Sequence, residues 1–157
     1  MPNKPFCKDL YNKHNGPGIR VALDMLNQHG YQTIEDGSIE NYCARDCLVS
    51  KDNKRLSIEV ERKMVWRRKN DWEGYSSVRV PYRKRHSQAD IYIMINEAST
   101  CLIVCRMTDV KNSETTKYTS QMYNVEEDFF AVPIDKFDVM VLESGKWIQK
   151  TNKHNLI

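Results

Sequence analysis

The stretch Leu56-Ser-Ile-Glu-Val-Glu-Arg-Lys-Met-Val65 decides how this chain is read. Apolar and polar residues alternate along it, so Leu56, Ile58 and Val60 share one face of a strand while Ser57, Glu59, Glu61 and Lys63 share the other. The apolar row predicts a strand anchored on a core. The polar row sets two carboxylates and a lysine at intervals of about 7 Å along the same strand. Burying such a row costs several kcal/mol unless its charges are neutralised. A divalent cation or a solvent-filled cleft would do so.

The residues before this stretch supply a partner. Ala44–Val49 reads as a second strand, joined to Leu56–Val65 through the polar turn Lys51-Asp-Asn-Lys54 as an antiparallel hairpin. If that turn is a four-residue loop, Ser50 pairs with Arg55 and Asp46 lies opposite Glu59, with Glu61 diagonal to it. A loop two residues longer moves Asp46 opposite Glu61. Either register brings Asp46 to the face of both glutamates, across strands about 4.8 Å apart. A one-residue slip would turn it away.

An Asp and a Glu converging on one point suit Mg²⁺, with Mn²⁺ as a substitute, because a hard cation takes oxygen ligands and keeps several waters. Asp46 and Glu61 are the expected metal ligands, with Glu59 in support. Lys63 would sit beside the attacking water and the scissile phosphate. The arrangement Asp46 … Glu61-Arg-Lys63, on consecutive strands after an N-terminal helix, resembles the PD-(D/E)XK nuclease superfamily. That superfamily includes restriction-type endonucleases, Holliday-junction resolvases and related phage enzymes. The resemblance covers about residues 15–106. It implies an α/β fold, a restriction-endonuclease-like mixed β-sheet flanked by helices in which the hairpin carries the site. It also implies a Mg²⁺-dependent deoxyribonuclease, matching Asp46 to the first metal-binding acid, Glu61 to the acid of the ExK tripeptide and Lys63 to its lysine. It admits a homodimer that cuts two strands.

Charge distribution points to the same substrate. Between Arg62 and Arg85 lie nine basic and two acidic residues, a local charge of +7 in a chain whose net charge is +3. Arg67, Arg68, Lys69, Arg79, Arg83, Lys84 and Arg85 are the expected contacts to a nucleic-acid backbone, DNA above all. Trp66, Trp72, Tyr75 and Tyr82 are interleaved with them, and the tryptophans are read as core. The alternative is a non-catalytic nucleic-acid-binding module with a degenerate nuclease fold, its acidic row a relic or an ion-paired surface. A protein-interaction domain stands third.

Elsewhere the pattern predicts one domain over residues 1–157. Pro17 suits the first turn of a helix whose apolar positions are Ile19, Ala22, Leu23 and Leu26, stopped by Gly30. Further strands are expected at Tyr31–Ile34, Val78–Tyr82 (an edge, because of Pro81), Ala89–Asn96, Thr100–Met107, Phe129–Val132 and Val139–Leu142, the last of the chain. Residues 66–88 carry only a weak helical pattern, and the polar stretch from Met107 to about Val125 carries no element. The longest apolar run, Ile91–Ile95, is too short to span a bilayer, and the N-terminus has no signal-like apolar segment. An odd count of five cysteines predicts reduced thiols and an intracellular location, in cytoplasm, nucleoid or nucleus. Cys43/Cys47 and Cys101/Cys105 on strands would place their sulfurs about 13 Å apart, too far to share one zinc.

Overall fold

In the computed structural model, residues 8–36, 46–120 and 124–157 are described. The first element is α1 (Lys8–Gln28). It begins earlier than Pro17 suggests, and Pro17 lies inside it. A proline within a helix loses one backbone bond and clashes with the preceding turn, at about 3 kcal/mol or more. The turns that follow offset this by burying Ile19, Ala22, Leu23, Met25 and Leu26 against the sheet. Gly18 faces β3 at ordinary packing distance: a β-carbon there would stand 3.6 Å from Val60 and 3.7 Å from Arg62. The helix ends at Gly30 in the left-handed region (φ +91°), with Tyr31 N–H donating to the Leu26 carbonyl and Gly30 N–H to that of Asn27. These two bonds form a Schellman cap.

The strands β1 (Gln32–Glu35), β2 (Cys47–Lys51), β3 (Lys54–Lys63), β5 (Ile91–Asn96), β6 (Cys101–Arg106), β9 (Asp138–Glu143) and β10 (Lys146–Gln149) form a seven-stranded sheet in the order β1-β2-β3-β5-β6-β9-β10. Within it β3 and β5 are parallel and every other pairing is antiparallel. This is a mixed, mostly β, α/β architecture. The β2–β3 hairpin takes the shorter-loop register, with Ser50 opposite Arg55 and Lys51 opposite Lys54. Its two central residues, Asp52 (φ 52°) and Asn53 (φ 62°), are both left-handed, as a type I′ turn requires.

Leu56, Ile58 and Val60 pack with α1, Ile91, Ile93 and Ile95. The opposite face departs from the expectation of flanking helices. There β4 (Ser77–Pro81), β8 (Val125–Pro133) and β7 (Glu114–Ser120) form a second sheet, ordered β4-β8-β7, with the short helix α2 (Met107–Lys111) beside it. Trp66, Trp72, Val78, Val80, Met107, Phe130 and Val132 pack there against Tyr92, Met94 and Ile103. β4 is an edge strand, as its proline predicts. Two strands lie outside the expectation: β7, in the stretch left without structure, and β10, after the supposed last strand. The connection from β3 to β5 holds β4 and a 3₁₀ turn, Tyr82–His86. No helix among the described residues is long and apolar enough to cross a membrane.

Candidate metal and nucleic-acid site

Because β3 alternates, its polar residues face the second layer. Glu59 is only 5 % exposed. Its Oε1 is ion-paired with the ammonium of Lys84, and its Oε2 accepts a hydrogen bond from Ser87 Oγ at 3.2 Å. Asp46 is 4 % exposed at the end of β2, where the ladder with β3 stops at Cys47↔Ile58. Its N–H donates to the Ile58 carbonyl at 2.8 Å, and its Oδ2 accepts from the Val60 N–H at 2.7 Å. The carboxylate thus takes the place of the next ladder acceptor, which fixes it beside Glu59.

Glu61 is half-buried. Its Oε2 and the hydroxyl of the fully buried Tyr92 are shut off from solvent without completing a well-formed hydrogen bond. Tyr92 comes from β5, where it is the parallel partner of Glu59. Lys63, two residues beyond Glu61, lies 3.3 Å from Glu73 and 5.1 Å from the centre of the Trp72 ring. Lys84 is thus paired with Glu59, Glu61 lies two residues further along the same strand, and Glu73 holds Lys63 at the end of the row.

The electrostatics follow from this packing. Burial pushes the Glu59 carboxyl above its ordinary value, against the pull of Lys84, and the charge of Asp46 pushes the same way as burial. Burial would lower the pKa of Lys84, yet Glu59, then Glu61, then Asp46 outweigh it, and the ammonium is held above its ordinary value. Burial, followed by the charge of Glu61, raises the Tyr92 phenol well above the usual range.

The basic residues divide. Arg67, Arg68, Lys69, Arg79, Arg83 and Arg85 are exposed. Arg68 reaches back to the Trp72 carbonyl, Arg79 lies 4.3 Å from the Tyr118 ring centre, and Arg85 lies 4.2 Å from that of Tyr82. Lys84, expected among the backbone contacts, instead turns inward. A 3₁₀ turn has three residues per turn, so of three consecutive cations one faces the sheet and its neighbours face out. Trp66 and Trp72 are buried edge-to-face at 5.0 Å, with their indole N–H groups bonded to the Asp71 and Tyr75 carbonyls. They are core residues, as expected. Sequence reasoning missed the inner roles of Lys84, Ser87, Glu73 and Tyr92. Only Tyr92 had a usable signal, its place in the apolar strand neighbouring β3.

Among the described residues, no group of three or more His, Cys, Asp or Glu side chains is arranged to hold a metal. Mg²⁺ asks less of the protein: one or two carboxylates, with waters and phosphate oxygens completing the octahedron. Asp46 and Glu61 meet that requirement in residue type. Cys47, Cys101 and Cys105 are buried free thiols, and Cys43 lies outside the described residues. A cleft of about 350 Å³ lies elsewhere, lined by Pro17, Arg20, Asp24, Leu142 and Trp147. Compared with known proteins, the chain matches no family model, no curated protein and no solved structure.

Proposed function

We propose that this chain is a Mg²⁺-dependent nuclease that hydrolyses phosphodiester bonds, acting on DNA as an endonuclease. One observation carries the reading: Asp46, anchored through the Val60 N–H at the end of β2, stands beside the Glu59, Glu61 and Lys63 row of β3. The order of α1, the β2–β3 hairpin and the parallel strand β5 supports a restriction-endonuclease-like sheet of the PD-(D/E)XK kind.

Asp46 and Glu61 would hold Mg²⁺, or Mn²⁺ in its place. Bound there, such a cation polarises a phosphate oxygen and lowers the pKa of a water. Asp46 is preorganised by the Val60 N–H, so it needs no reorganisation to bind. Glu59 contributes charge from beneath. The ammonium of Lys63 would donate to a phosphate oxygen as negative charge develops, or orient the attacking water, with Glu73 fixing its position. Arg67, Arg68, Lys69, Arg79, Arg83 and Arg85 would bind the phosphate backbone and steer a polyanion toward an acidic row that would otherwise repel it.

The Lys84–Glu59 pair favours a second reading, in which the acids are ion-paired structure and the domain binds nucleic acid without cutting it. Nicking of supercoiled plasmid in EDTA, Mg²⁺ and Mn²⁺ separates the two. Metal-dependent nicks that disappear in Asp46→Asn support the enzyme. Binding without nicks supports the module, and neither activity would leave a protein-interaction domain.

A further inference from the structure

We propose that the connection from β3 to β4, residues 64–76, is a preformed platform on which Tyr75 stacks against an unpaired base, so that the DNA taken by this site carries unpaired bases. The inference names the substrate class of the nuclease reading above and rests on that reading.

The connection has no regular structure over residues 66–76, yet it is tightly held. Consecutive carbonyls each accept a side-chain hydrogen bond: Arg68 from Asn96 Nδ2 at 2.9 Å, Lys69 from Thr100 Oγ1 at 2.6 Å, Asn70 from Lys150 Nζ at 3.0 Å, Asp71 from Trp66 Nε1 at 2.9 Å and Trp72 from Arg68 Nη1 at 3.2 Å. Asn96 is fully buried and is the parallel partner of Lys63, so the loop is fastened to the end of the polar row. The buried Trp66–Trp72 pair closes its base, and the Trp72 indole N–H holds the Tyr75 carbonyl at 2.8 Å. A backbone fixed in advance loses little freedom when a ligand binds.

What the loop shows to solvent suits a polyanion with free rings. Its acids are paired with cations of the protein, Asp71 with Lys150 and Glu73 with Lys63. Arg67, Arg68 and Lys69 are exposed, Arg67 being held only loosely by Glu97 at 3.9 Å. Three of the six exposed large apolar side chains among the described residues, Met64, Val65 and Tyr75, lie on this one connection. Tyr75 is the aromatic among them, at 65 % exposure. Arg79 covers the Tyr118 ring and Arg85 that of Tyr82, but among the described residues no cation or ring covers Tyr75. Cations alone would serve a perfect duplex, which turns its phosphates outward and stacks its base faces on one another. An open tyrosine ring among those cations adds nothing to phosphate binding. It suits a base with a free face, on which an aromatic ring stacks whatever the sequence.

The test is fluorescence anisotropy in EDTA, where metal-dependent cutting is silent, on the full chain with two labelled probes. One is a blunt DNA duplex; the other is the same duplex with a short run of unpaired thymines in one strand. Wild type is expected to bind the interrupted probe at least about tenfold more tightly than the blunt one. Tyr75→Ala should weaken binding of the interrupted probe by about fivefold to 100-fold and leave the blunt duplex within about twofold. Tyr75→Phe keeps the ring and should stay within about threefold of wild type on both probes. The Tyr75 side chain lies on the surface, so neither change opens the core. Equal affinity of wild type for the two probes overturns the inference, as does a preference unmoved by Tyr75→Ala or an equal loss on both probes. In each of those cases plasmid nicking by wild type still upholds the nuclease. A Tyr75-dependent preference in a chain that cuts nothing upholds the inference and overturns the nuclease. Binding of neither probe overturns both.

Discussion

Asp46 has two separable roles, and a pair of substitutions separates them. Its Oδ2 accepts the Val60 N–H at 2.7 Å, at a site 4 % exposed, just where the β2–β3 ladder has run out. Asparagine keeps an acceptor of the same reach and loses the charge. Alanine loses both, leaving a buried N–H that costs about 1–3 kcal/mol when unpaired. Relief of repulsion from Glu59 is common to both variants, so it cancels in their difference. Asp46→Ala should therefore be less stable than Asp46→Asn by about 1–3 kcal/mol. At about 2–4 °C per kcal/mol for a chain of this length, calorimetry in EDTA resolves that gap. Both variants should lack metal-dependent nicking. Equal stability of the two, within about 0.5 kcal/mol, would refute the account of how Asp46 is held.

Three further outcomes follow from the packing. Burial pushes the Cys47 and Cys101 thiols up to about 12, so their contribution to stability is intact below the unfolded thiol value near pH 9 and is lost as pH rises toward 12. Denaturant melts should show that loss, and Cys101→Ala should reduce its slope by about one proton. An unchanged slope would contradict the burial of that thiol. Gly18→Ala places a β-carbon at ordinary contact distance from Val60, Arg62 and Ile95 inside a helix. It should raise stability by about 0.5–1 kcal/mol, and a loss of more than that would mean the helix sits closer to β3. Neutralising Arg83 and Arg85 together should weaken duplex binding across all sequences and lower the slope of log K against log salt by about two. A sequence-selective loss would contradict phosphate contact.

The hairpin that carries the site was legible because two independent signals agree on it. Strict alternation sets the faces of β3, and the polar turn sets the hairpin but leaves two registers open; the left-handed Asp52 and Asn53 of the structure select the one with Ser50 opposite Arg55. β5 and β6 were legible as unbroken apolar runs between turn residues, a pattern expected of strands buried on both faces. β7 was not: Glu114–Thr119 is exposed on both faces outside its pairing with β8, so it carries no alternation. Pro17 misplaced the start of α1 because burial of the later turns outweighs one lost backbone bond. Lys84 was hidden for a different reason. Within Arg83-Lys-Arg85 nothing in residue type distinguishes the inward cation from its neighbours; only the three-residue period of the turn does. The same limit hid Glu73, which reaches Lys63 from a connection without regular structure.

The central claim is that this row of side chains performs phosphodiester hydrolysis, and Lys63 tests it most directly. Lys63 is exposed enough to be removed without opening the core, at 22 % of its side-chain surface, and it lies outside the buried Glu59–Lys84 pair. The decisive measurement is single-turnover nicking of supercoiled plasmid by Lys63→Ala in Mg²⁺, at protein concentrations that saturate binding. The account predicts a rate lower than wild type by about 100-fold or more, with duplex affinity nearly unchanged. Nicking by Lys63→Ala at the wild-type rate would contradict it.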